Sequence, residues 1–253
     1  MPNELDCQVA DRVAVLTLQV PERRNALSEG LITEIIAALD DLESRDDVGA
    51  LVVTGAPPAF CAGGALGDLA APDTGDRTRR ERLRFIYEAF LRVARSPLPT
   101  VAAVNGPAVG AGMNLALACD VRIAGRSARF ETRFLELGLH PGGGHTWMAQ
   151  RIVGPQAVAA TVLFGERLPA ERAAAVGLVW SVVDDAGLLD AARAMAKRAA
   201  AFDPDIVRRA KRTMAETAAA ADLGAAVDIE LDAQVWSMGR PAFAEGITAQ
   251  KRR

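Results

Sequence analysis

The sequence predicts an α/β fold. Three observations carry that prediction. Strand and helix patterns alternate over about the first 180 residues. Two of the strand patterns run straight into turns made of small residues. From Leu188 onward the pattern is helical throughout. Ala50-Leu51-Val52-Val53-Thr54-Gly55 and Val101-Ala102-Ala103-Val104 are the two strands, both of buried type. The first leads into Pro58-Ala59-Phe60-Cys61-Ala62-Gly63-Gly64-Ala65-Leu66. The second leads through the turn Asn105-Gly106-Pro107 into Gly110-Ala111-Gly112 and a buried helix over Met113–Ala118.

Taken in order, the chain opens on a β-hairpin. Cys7-Gln8-Val9 and Val13–Leu18 flank an Asp11-Arg12 turn. Ser28 is placed to cap a helix reaching about Leu42, with Leu31, Ile32, Ile35, Ile36 and Leu39 at helical spacing. Gly67–Asp76 reads as a loop. Arg77–Ala94 reads as a charged helix with Leu83, Ile86, Tyr87, Phe90 and Leu91 inward. Val121–Ala124 is a strand. Helices follow over His145–Val153, Pro155–Phe164 and Pro169–Val176, then a short strand over Leu178–Val182. Leu188–Ala201, Pro204–Thr217 and Asp222–Met238 complete the pattern, with a proline opening the second of these. The expected division is a core over 1–185 and a helical region over 186–253.

Composition narrows the function. Half of the 253 residues are apolar and the net charge is −3. Such a balance argues against a general nucleic-acid or anionic-membrane binder. The apolar stretch Val101–Cys119 approaches membrane-spanning length. It also contains Asn105, Pro107, three glycines and Asn114, so a buried strand and helix explain it better. Cys7, Cys61 and Cys119 read as reduced thiols of a cytoplasmic protein. No spacing of cysteine or histidine matches a zinc site, and no metal is expected. The N-terminal segment has neither the basic nor the apolar region of a secretory signal.

A small-residue turn feeding a helix leaves the first N–H groups of that helix unpaired. The helix dipole adds positive charge there. Two such turns, each after a buried strand, can present two N–H groups to one oxygen that develops negative charge.

The segments AFCAGGAL, VNGPAVGAGMNLALACDVRIAG and ARFETRFLELGLHPGGGHTWMAQRIVG, in that order, resemble the crotonase, or enoyl-CoA hydratase/isomerase, superfamily. The resemblance runs from about Val13 to the C-terminus. It implies a spiral of ββα units, a C-terminal helical region that packs trimers or hexamers, and an acyl-CoA thioester as substrate. Coenzyme A arrives as part of that substrate, with no separate cofactor. By position the oxyanion donors are the N–H groups of Gly64 and Ala111. Arg23 or Arg24 is expected at the CoA phosphates, Ala62 and Leu66 beside the cofactor, and Lys251 within reach of it. A solvated turn and a frayed basic tail are the plainer readings of those basic residues.

The same resemblance places the two hydratase glutamates at Asn114 and Phe134, where this chain has no carboxylate. An amide cannot exchange a proton usefully near neutral pH. A positioned acid or base is worth roughly 10²–10⁴ in rate. His140 is the leading replacement, with Phe134 lining the substrate pocket. His145, Glu131, Glu136 and Asp68 are further candidates, and each has a structural reading beside it. Cys61 reads as a small packed side chain rather than a nucleophile. The expected function is therefore an acyl-CoA enzyme of the hydratase/isomerase type with atypical acid–base residues. Another thioester reaction, such as decarboxylation, and a non-catalytic acyl-CoA binding protein are the alternatives.

Overall fold

In the computed structural model, which describes residues 3–65, 67 and 78–250, the opening hairpin pairs β1 (Leu5–Ala10) with β2 (Val13–Leu18). Asp11 and Arg12 both have positive φ, 50° and 63°. A tight turn of that hand matches the right-handed twist of the strands it joins. β2 then pairs in parallel with β3 (Ala50–Gly55), β3 with β4 (Thr100–Val104), β4 with β6 (Val121–Gly125), and β6 with β9 (Ser181–Val183). The described sheet thus has the order β1-β2-β3-β4-β6-β9. A smaller sheet, β5-β7-β8, joins Pro107–Val109, Arg129–Glu131 and Leu168–Pro169.

Both faces of the sheet are buried at β2, β3 and β4, which explains their continuous apolar sequences. Successive side chains point to opposite faces. Ala14, Leu16, Leu18, Leu51 and Val53 join the larger core. That core takes in α1 (Glu29–Ser44), α2 (Arg79–Ala94), α3 (Ala111–Ala118) and α4 (His145–Val162). Val13, Val15, Ala50 and Val52 face the other way, onto Leu188, Ala192, Ala196 and Ala200 of α6 (Leu188–Ala200). The small residues at a four-residue step let this helix lie close to the sheet. A Cβ on Gly49 would come within 2.9 Å of the Ala200 Cα. By its packing α6 belongs to the core.

Caps mark several helix starts. The Ser28 hydroxyl accepts from the Leu31 N–H, Thr78 and Glu81 form a reciprocal capping box, and Asp203 and Asp222 cap the helices that follow them. The charged helix therefore begins at Arg79, after Thr78. The segments read as helices over His145–Val153 and Pro155–Phe164 run on as α4, bent at Gly154 (φ 76°, ψ 169°). α5 spans Ala170–Ala175.

α7 (Pro204–Thr217), α8 (Leu223–Met238) and α9 (Pro241–Gln250) lie outside that core. α8 has no buried residue, and Leu223, Val227, Leu231 and Val235 form an exposed stripe at a four-residue step. Among the described residues no helix is long and apolar enough to cross a membrane.

Candidate active site

The first turn is held by an asparagine. Asn25 is fully buried at φ 55°. Its Oδ1 accepts from the Val20 N–H at 3.0 Å, and its Nδ2 donates to the carbonyls of Ala56 (2.8 Å) and Ala59 (2.7 Å). This ties the Pro21–Asn25 turn to the loop entering Cys61. Further along, Ala62 N–H donates to Arg24 O (2.9 Å), Leu27 N–H to Gly63 O (2.8 Å), and Ala65 N–H to Leu27 O (3.2 Å). Leu27 bridges in parallel with Gly64, so its two bonds go to the neighbours of Gly64. The Gly64 N–H is left pointing away from Leu27.

The second turn packs against the first. Cys61 N–H donates to Pro107 O (3.2 Å) and Val109 N–H to Cys61 O (2.9 Å). Gly63 has φ 97°, and a Cβ there would lie 2.7 Å from Val109 O and 3.4 Å from the Ala111 nitrogen. A Cβ on Gly112 would lie 2.1 Å from Cys61 O. The helix α3 begins at Ala111, and its first bond runs from Asn114 N–H to Gly110 O (3.0 Å). Ala111 is absent from the residues with positive φ, so alanine fits there. Among the described residues neither the Gly64 nor the Ala111 N–H donates a backbone hydrogen bond. Both residues are partly accessible.

One turn along α3, Asn114 is buried. Its Nδ2 donates to Gly142 O (3.0 Å), and its Oδ1 is 2.7 Å from Nδ1 of His145. His145 is 1 % exposed and opens α4. The Phe134 ring meets the imidazole edge to face, with centroids 5.1 Å apart. A Cβ on Gly110 would lie 3.8 Å from that same ring, so Phe134 spans from the second turn to His145. The 142–144 turn is pressed onto α2, since a Cβ on Gly143 would meet the Phe90 ring at 2.4 Å.

Comparison with known proteins decides what this frame is. The sequence profile of the enoyl-CoA hydratase/isomerase family matches residues 8–253. The probable enoyl-CoA hydratase EchA14 of Mycobacterium tuberculosis is 46 % identical over 250 residues, 97 % of this chain and 96 % of that one. The chain belongs to the enoyl-CoA hydratase/isomerase family. The 1,2-epoxyphenylacetyl-CoA isomerase of Escherichia coli K12 is 36 % identical over 246 residues, 94 % and 91 % of the two chains. The crystal structure of a Bacillus anthracis enoyl-CoA hydratase superposes with a TM-score of 0.92 at 29 % identity, covering 98 % and 96 %. A Thermobifida fusca protein, described as an enoyl-CoA hydratase and solved in complex with CoA, gives 0.84 at 29 % identity, covering 93 % of each chain.

For a member of the enoyl-CoA hydratase/isomerase family, the remaining expected residues fall as follows. His140 is exposed, and its Nδ1 lies 2.7 Å from the carbonyl of Pro141. It is His145 that the fold brings to Asn114 and Phe134. Glu131 is within 3.8 Å of Arg133 and 3.7 Å of Arg167, and Glu136 faces the same two arginines, so both carboxylates are engaged in one ion network. Cys61 is fully buried, which pushes its thiol up to about 12 and removes it as a nucleophile near neutral pH. Arg23 pairs with Glu4. Arg24 is exposed at φ 52°, and its carbonyl holds Ala62, next but one to Gly64. Leu66, Asp68 and Lys251 lie outside the described residues, as do all but one of the expected loop residues 67–76. Among the described residues no group of three His, Cys, Asp or Glu could hold a metal ion.

Burial holds the His145 imidazole down at about 4, from an ordinary value of 6.5. The unfolded chain therefore takes up the proton first as pH falls. His145 contributes full stability above about pH 6.5 and loses it progressively down to about pH 4. The shift is worth about 3 kcal/mol at most. Urea unfolding at pH 7 and pH 5 should show this loss in the wild type and a smaller one in His145→Gln.

Proposed function

We propose that this protein binds an acyl-CoA thioester and holds its carbonyl oxygen between the N–H groups of Gly64 and Ala111, as a lyase that adds water to a trans-2-enoyl-CoA. The observation that carries the reading is the closeness of the two turns. Each leaves an N–H undonated, and the Cys61–Ala108 bridge fixes one against the other. Two preorganised donors stabilise an oxygen as it gains charge, without reorganisation during the reaction. The family and the CoA-bound relative support the thioester part.

Arg24 is the better placed of the arginine pair for the CoA phosphates. Its backbone is bonded to the turn, and among the described residues it has no ion pair, whereas Arg23 is engaged by Glu4. The apolar stripe on α8 supports assembly into a homotrimer or a hexamer of paired trimers. A cytoplasmic location fits an acyl-CoA substrate and the unpaired cysteines.

The test is turnover of a short and a long trans-2-enoyl-CoA, followed as loss of the conjugated thioester's ultraviolet absorbance. The expected result is hydration well above the uncatalysed rate. Tight binding of acyl-CoA with no reaction of any thioester would instead favour a carrier.

A further inference from the structure

The hydrogen bonds of Asn114 fix the tautomer of His145. The carbonyl of Gly142 can only accept, so the Asn114 group facing it must be the NH₂, as the 3.0 Å bond requires. The Asn114 atom facing Nδ1 is then its oxygen, which also can only accept. Nδ1 must therefore carry the hydrogen. In a neutral imidazole that leaves Nε2 with a bare lone pair. Burial favours the neutral ring. Nε2 is buried and has no hydrogen-bond partner among the described residues. An unsatisfied buried acceptor is costly and calls for a specific explanation. A C–H group would not satisfy this lone pair, whereas an O–H would.

We infer that His145 is the proton carrier of this site, with Nε2 taking the O–H proton of the water that adds to the β-carbon and returning it to the α-carbon. This rests on the proposed function. The position of His145 supports the same role as its lone pair does. His145 touches Asn114 and Phe134, the two positions at which the resemblance puts proton-transfer groups. Asn114 is one turn from the Ala111 donor.

The step balances with one residue. The water oxygen bonds to the β-carbon as its proton passes to Nε2. The C=C pair moves to the bond between the α- and carbonyl carbons, and the carbonyl pair moves onto the thioester oxygen, held by Gly64 and Ala111. The enolate then collapses, and the α-carbon takes the proton from Nε2–H. The product is a 3-hydroxyacyl-CoA and the imidazole is neutral again. Burial makes the transient imidazolium a ready donor for the second half of the step. Asn114 acts through His145 as a positioning residue. It fixes the tautomer that leaves Nε2 free.

The experiment uses the full chain with short and long trans-2-enoyl-CoA as substrates and butyryl-CoA as the binding probe. His145→Gln keeps a polar side chain of similar reach but no base. It should lower kcat by roughly 100-fold or more, with the butyryl-CoA Kd within about threefold of wild type. Asn114→Leu provides the second test should the first variant fail to fold. It should lower kcat at least about tenfold with KM and Kd little changed, a split that general loosening of the site would not give. Turnover of either folded variant within about threefold of wild type would overturn the inference. So would a wild type that binds butyryl-CoA but hydrates neither enoyl-CoA. That last outcome, like a chain that fails to bind butyryl-CoA at all, would overturn the proposed function as well.

Discussion

Gly112→Ala should cost this protein both stability and nearly all of its turnover. The added Cβ would lie 2.1 Å from the Cys61 oxygen, 2.7 Å from its carbonyl carbon and 2.8 Å from its Cβ. Two of these are backbone atoms, and Cys61 is fixed by bonds to Pro107 and Val109. No rotamer relieves such a contact, so one turn must move off the other. Overpacking of this kind costs roughly 1–3 kcal/mol, sometimes more. The effect on rate should be larger. Movement would separate the Gly64 and Ala111 N–H groups proposed to hold the thioester oxygen, and losing one oxyanion donor costs roughly 10²–10³ in kcat. Urea unfolding and enoyl-CoA turnover read the two effects. Gly187→Ala is the control, since Gly187 has φ −96° and open space about its Cβ position. A Gly112→Ala protein as stable and active as wild type would mean that the turns are not in close contact.

Asn25→Ala should produce the second large effect, on stability. The change strands the Val20 N–H and the carbonyls of Ala56 and Ala59 in a fully buried position. Each buried group left without a partner costs roughly 1–3 kcal/mol. Alanine also tolerates φ 55° less well than asparagine, by roughly 1–2 kcal/mol. Some of these groups will find water, so a net loss of about 3–5 kcal/mol is expected. Asn25→Asp should fare no better near neutral pH, because it turns a carboxylate oxygen toward two carbonyls. Thermal or urea unfolding of both variants checks this. A loss under about 1 kcal/mol in Asn25→Ala would show that the first turn is held by something else.

Much of the frame was legible because it rests on local chemistry. Ser28 and Pro204 mark helix starts through caps and fixed φ, and those helices begin at Glu29 and Pro204. The two strand-to-small-residue turns were readable because buried strands are continuously apolar and because glycine marks close approach. The small sheet was not readable. Pro107–Val109 and Arg129–Glu131 are three residues each, too short for a period of two, and their pairing is non-local. The last described strand was expected over Leu178–Val182 but spans Ser181–Val183. Leu178 and Val179 are buried in the turn after α5, while pairing with Ile123 begins at Ser181. α9 was expected only as part of the helical pattern from Leu188 onward, with no bounds of its own, since PAFAEGITAQ has no clear apolar period. The choice between His140 and His145 depends on a contact with Asn114, 31 positions away, which no local pattern encodes. The glycines before His145 were the one available signal. They mark a turn leading into a helix, and the residue that opens such a helix can be turned inward.

The central claim is that two backbone N–H groups polarise a bound thioester. The most direct measurement is the infrared spectrum of wild-type protein with butyryl-CoA labelled with ¹³C at the thioester carbonyl, read as a difference against unlabelled ligand. Hydrogen bonds from both Gly64 and Ala111 should move the carbonyl band to lower frequency than in water. A bound thioester whose carbonyl band stays at, or rises above, its position in water would contradict the account.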